Sequence, residues 1–147
     1  MKKIFTIGSS RKTAEEFFET LKACGVTKII DVRLNNTSQL LAFAKYPDIE
    51  YFTKKILRGK YFHDRKFTLS EKILVRYKKN QIDWDEYEKE FAELMNYRDI
   101  DIYIADHYAD EENYCLLCTE PTPEYCHRRL VAEKIKEVLE DVEIVHL

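Results

Sequence analysis

The sequence predicts a three-layer α/β sandwich of Rossmann-like type, one domain over residues 1–147, built on a mostly parallel sheet of four or five strands. Three observations lead there. Apolar runs of strand length alternate with segments whose apolar residues recur at helical spacing. The first such pair closes a β-α-β unit, whose strands run parallel. No repeat, low-complexity tract or linker divides the 147 residues.

Taken in order, Lys3–Ile7 is a β run ending at Gly8. Thr13 with Glu16 forms a capping box, and Ala14, Phe17, Phe18 and Leu21 line one helical face that stops at Gly25. Lys28–Val32 is a continuous apolar strand of the kind buried in parallel sheets. A short helix near Ser38–Lys45, an extended piece at Ile49–Phe52 and a basic, aromatic-rich loop over Lys54–Lys66 are expected next. Glu71–Lys79 reads as a helix behind Ser70. Asp83 with Glu86 makes a second capping box, before a helix lined by Trp84, Tyr87, Phe91, Leu94 and Met95. Ile100–Ala109 fits both periods and is assigned to helix. Tyr114–Thr119 is a strand. Thr122 followed by Pro123 marks the start of a helix to about Glu140, and Glu143–Leu147 is the last strand.

Hydrophobic residues make up 45% of the chain and charged residues 35%, and no apolar run approaches the length of a membrane span. The opening MKKIFTIGSS lacks the apolar core and cleavage site of a secretory leader, so a cytoplasmic location with reduced cysteines is expected. Abundant Lys, Glu, Ile and Tyr, with Gln only at positions 39 and 81, lean toward a heat-adapted source. The net charge of −3 is unevenly spread: Lys54–Lys79 holds ten Lys or Arg against Asp64 and Glu71, while acids dominate from Gln81 onward.

The chemistry concentrates in CLLCTEPTPEYCHRRL, Cys115 to Leu130. Four potential zinc ligands lie there, but a strand sends Cys115 and Cys118 to opposite faces, and adjacent Cys126 and His127 diverge on a helix. No metal is expected on those grounds. A dithiol redox motif would open a helix instead of filling a strand. An anion cradle fits better, because the N-terminus of a helix starting at Thr122 offers free N–H groups. At about 100° per residue, His127 shares the buried azimuth of Val131, Ile135 and Val138. Arg128 lies at its edge and Arg129 points to solvent.

Open parallel sheets bind ligands beyond the carboxyl ends of their strands. Three such ends carry suitable groups: Gly8-Ser9-Ser10-Arg11, Asp31-Val32-Arg33 and Cys118-Thr119-Glu120. The expected ligand-binding set is therefore Gly8, Ser9, Ser10, Arg11, Asp31, Arg33, Thr122 and Arg128, with His127, Cys118 and Glu120 as candidate catalytic groups. Three arginines favour phosphate or carboxylate. No cofactor is implied, and Gly8 stands outside any G-x-G-x-x-G pattern.

TIGSS, DVR, LLCTE, CHRRL and the closing EIVHL together resemble the domain of unknown function 488 family, most specifically through LLC-x-E-x(5)-CHR from Leu116 to Arg128. The resemblance implies a Rossmann-like α/β fold with Gly8, Asp31, Arg33, Cys118, Glu120, Cys126, His127 and Arg128 as signature positions, and no activity. The chain departs from the family pattern at Ser9, where a His is usual, in the Leu34–Ser38 loop, and at Leu57-Arg58-Gly59.

Three functional classes follow. One is an enzyme on an anionic small molecule or nucleotide. A second is nucleic-acid binding or processing through the basic aromatic stretch 54–67. The third is a regulatory module with a vestigial site. No membrane partner is expected.

Overall fold

The computed structural model describes residues 1–147 and contains one five-stranded, all-parallel sheet. Its elements are β1 (Lys2–Gly8), α1 (Ala14–Ala23), β2 (Lys28–Asp31), α2 (Asp48–Ile56), β3 (Lys60–His63), α3 (Glu71–Lys78), α4 (Trp84–Tyr97), α5 (Ile100–Tyr108), β4 (Tyr114–Cys118), α6 (His127–Leu139) and β5 (Val142–His146). The strand order is β3-β2-β4-β1-β5, so β4 inserts between the two strands of the first β-α-β unit.

Strand alternation divides the core in two. Phe5, Ile7, Ile29, Cys115 and Leu117 face α1 and α2, packing with Phe17, Phe18, Leu21 and Ile49. Ile4, Ile30, Leu116 and Cys118 face the other helices, against Ile73, Phe91, Ile104, Val131 and Ile135. Cys115 and Cys118 therefore do lie on opposite faces. The Thr13 capping box is formed in both directions, and Asp83 caps α4 by accepting from the amide of Glu86.

Three expectations are corrected. Ile49–Phe52 is helical, because Ile49 and Thr53 bury one face of α2 with acids in its first turn and lysines in its last. Part of the expected loop at Lys54–Lys66 is β3, a sheet-edge strand in which only Tyr61 is buried; an edge tolerates the flanking charges that hid it. Thr122 and Pro123 do not open a helix. α6 begins at His127, with Cys126 in extended conformation at its N-cap. The intervening carbonyls turn toward arginines of α6: Arg128 donates to Glu120 O at 2.6 Å, and Arg129 donates to Pro123 O at 3.2 Å and Glu124 O at 2.9 Å. Charged donors outweigh the local start signal.

No helix is long and apolar enough to cross a membrane.

Candidate functional site

The chain leaves β1 into α1 on one face and leaves β4 into α6 on the other. β1 and β4 are neighbours, so their carboxyl ends form a switch point, and Gly8 pairs there with Cys118. Gly8 has to be glycine. A Cβ would sit 1.7 Å from Glu120 O and 2.7 Å from Glu120 C, both backbone atoms of the β4–α6 loop. The amides of Ser9 and Ser10 continue the pairing, donating to Cys118 O at 2.9 Å and Thr119 O at 3.1 Å.

On the α6 side, Cys118, Cys126 and His127 form a buried cluster whose donor atoms all lie within 4.8 Å of one another. The extended backbone at Cys126 is what allows this. Because that residue precedes the helix, its side chain joins that of His127 instead of diverging from it. His127 is 5% exposed and packs edge-on against Phe91 at 5.6 Å. Its Nε2 lies 2.6 Å from Val32 O. A carbonyl only accepts, so Nε2 carries a proton, and in the neutral ring Nδ1 is the free acceptor. Nδ1 lies 3.6 Å from Cys118 Sγ.

The Cys118 thiol is held below its ordinary pKa. The largest cause is the hydrogen bond from Cys126, helped by the amides of Thr119 and Glu120 and the charge of Arg128, against opposing desolvation. Cys126 is pushed up, first by that same hydrogen bond and then by burial. The pair is thus polarised, with negative charge favoured on Cys118. As a metal site the cluster supplies three donors, one short of a closed tetrahedral zinc site, and Cys115 faces away.

Arg128 is fully buried, not at the edge of the helix face as its azimuth suggested. It binds Thr6 Oγ1 (3.2 Å), Glu120 O (2.6 Å) and Thr122 O (3.5 Å), and its Nη2 has no partner. None of these partners is a carboxylate, so the guanidinium charge is uncompensated by an ion pair. Lys12, nearby, donates to Gly8 O at 2.9 Å, and burial and then Arg128 lower its pKa. The rim at β1 and β4 is therefore electropositive.

Asp31 and Arg33 form a second buried group. Asp31 accepts from Arg33 Nε (2.8 Å), Nη2 (2.7 Å) and backbone N (3.0 Å), and from the Tyr61 hydroxyl. Arg33 Nη2 also donates to Ala44 O at 2.7 Å. The pair thus ties together β2, β3 and the turn before α2. Burial, then Asp31, raise the Tyr61 pKa, keeping the phenol a donor. Tyr61 carries no sequence signal for this role; parallel pairing opposite Ile29 brings it in.

The expected site residues separate accordingly. Cys118, His127 and Arg128 come together beside Gly8 and Ser9. Asp31 and Arg33 pair with each other at the end of β2, leaving Arg33 Nη1 without a partner. Arg11 is exposed, with φ 59. The Glu120 and Thr122 side chains are exposed and only their carbonyls meet Arg128. Cys126, expected to diverge from His127 on a helix, instead joins the cluster with it and Cys118.

No curated protein and no solved structure matches the chain. A family model matches residues 13–135, which include DVR, LLCTE and CHR, and by that match the chain belongs to the family described as domain of unknown function DUF488.

Proposed function

We propose that this protein is a thiol-dependent enzyme acting on a small anionic electrophile, with Cys118 as nucleophile. The observation that carries the reading is the 3.6 Å approach of His127 Nδ1 to Cys118 Sγ, with Nε2 fixed on Val32 O. A nucleophile, a base and a group that orients the base stand in sequence.

The Cys118 S–H proton passes to His127 Nδ1. The thiolate is held by Cys126 and by the amides of Thr119 and Glu120. The sulfur then bonds to the electrophilic atom as that atom's bond to the departing group breaks, and the departing group takes the proton from His127. Water, deprotonated by His127, then displaces the sulfur and returns the thiol. Arg128 favours the thiolate, and Arg128 with Lys12 supplies positive charge that favours an anionic substrate. The Asp31–Arg33 pair acts at a distance, bracing the strand that carries Val32 O.

Alkylation of the native protein tests this, with modified peptides mapped by mass spectrometry. Cys118 is expected to react with a pH midpoint below that of an ordinary thiol. It should also prefer anionic iodoacetate over neutral iodoacetamide, compared with glutathione under the same conditions. A Cys118 that stays unmodified, or reacts without that charge preference, overturns the proposal.

A further inference from the structure

We infer that the edge of the sheet at β3, with the adjoining surface of α2, is a binding surface for single-stranded nucleic acid. It is separate from the thiol site. Three observations converge on it.

The first is unspent charge. Lys54, Lys55, Arg58, Lys60, Arg65 and Lys66 are all exposed, and none forms an ion pair. The acidic C-terminal half of the chain does not neutralise them. None of its carboxylates pairs with them; Glu90 and Glu133, for instance, pair with Arg76 and Arg129. Residues 54–66 also contain only one acid, Asp64. Its Oδ2 accepts from the hydroxyls of Tyr103 and Tyr108 and its Oδ1 from the amide of Lys66, so it is occupied inside the fold.

The second is exposed aromatic surface among those charges. Phe62 is 47% exposed on a strand, and Tyr51 is 58% exposed on α2. Large rings are usually buried; here Phe62 keeps about half its surface in solvent with Lys28 Nζ over one face at 5.3 Å, and Tyr51 touches Phe52 only edge-on. Lys55 Nζ sits 5.8 Å from the Tyr51 ring centre, so cation and stacking face are presented together.

The third is shape. Phe62 lines two hollows. One, of about 260 Å3, continues to His63, Tyr103 and His107. The other, of about 620 Å3, continues to Tyr51, Lys54 and Lys60. Lys28, Asp64 and Glu111 also line the first hollow, so the second is the one in which a base can stack on Phe62 while a sugar-phosphate backbone runs past Lys54 and Lys60. Glu50 and Asp48 also border the second hollow, and Asp48 is already paired with Lys45. Stacking with unpaired cations is the chemistry of single strands; a duplex hides its base faces.

The test is fluorescence anisotropy of a labelled single-stranded oligonucleotide of about 12 residues, inside the usual site sizes, titrated with the whole chain. Binding is expected at low salt, weakening as salt rises. Lys60→Gln should reduce the slope of log K against log salt by roughly 0.7. Phe62→Ala should weaken binding about five- to a hundredfold with little change in slope. Phe62→Trp, which keeps a stacking face, should retain it. Circular dichroism confirms that each variant is folded. The inference fails if nothing binds at low salt, if a duplex of equal length binds as tightly, if Phe62→Ala binds like the parent, or if poly-L-glutamate displaces the strand at equal charge. Cys118→Ser is expected to leave binding unchanged, so the outcome is independent of the thiol chemistry.

Discussion

Replacing Gly8 by alanine tests how the switch point is assembled. The added methyl would meet Glu120 O at 1.7 Å, where real contacts are about twice as long, and the obstructing atoms are backbone. The loop has to withdraw. Overpacking of this kind costs about 1–3 kcal/mol. Withdrawal also breaks the 2.6 Å bond from Arg128 Nη1 to Glu120 O, leaving a buried guanidinium with one more unmet donor. A hydrogen bond to a charged group is worth about 1.5–3 kcal/mol. The sum, about 2.5–6 kcal/mol, is a large share of a typical domain stability of about 5–15 kcal/mol. Urea denaturation followed by far-UV circular dichroism measures it, and the midpoint should fall by at least about 0.8 M for a slope of about 1–3 kcal/mol per M. Because Glu120 N–H helps hold the Cys118 sulfur, the thiol pKa of any folded variant should rise as well. A variant within about 0.5 kcal/mol of the parent, with unchanged thiol titration, would show that the loop does not depend on this contact.

Other perturbations separate the two buried groups. Asp31→Asn removes the counter-charge of a fully buried guanidinium and should cost about 3–5 kcal/mol in the same urea assay. Cys126→Ala deletes the leading hydrogen bond to Cys118, so the pH midpoint of Cys118 alkylation should move upward, with the fold retained. His127→Ala removes the base, and alkylation of Cys118 at neutral pH should slow by at least about tenfold. His146 is held below its ordinary pKa of 6.5 by burial and by Arg128. Its unfolded form therefore binds the proton more readily, and its contribution to stability is lost as the pH falls below about 6.5 toward the lower folded value. A His146→Ala variant should show a flatter dependence of thermal midpoint on pH in that window.

Much of the fold was readable because its signals are local. The Thr13 box, the face of α4 and the apolar runs of β1, β2 and β4 each lie within one element, where periodicity and capping decide. The ambiguous Ile100–Ala109 segment also fell on the helical side, as α5. The misreadings share the opposite property. β3 gave no apolar run because an edge strand needs to bury only Tyr61. The Thr122-Pro123 start signal lost to Arg128 and Arg129, whose guanidinium groups claim the loop carbonyls from the next turn of chain.

The parallel α/β architecture, the separation of Cys115 from Cys118 and the place of Cys118 at a strand end were legible in the amino-acid order alone. Those follow from alternation, helical period and chain direction, which are properties of neighbouring residues. Folding in three dimensions was needed to start α6 at His127, to bring Cys126 beside it, to bury Arg128 without a carboxylate and to carry Tyr61 to Asp31. Each of these depends on which strand lies beside which and on where one loop turns. That choice is set by the balance of burial and charge solvation over residues as far apart as Thr6 and Arg128, and no local pattern contains it.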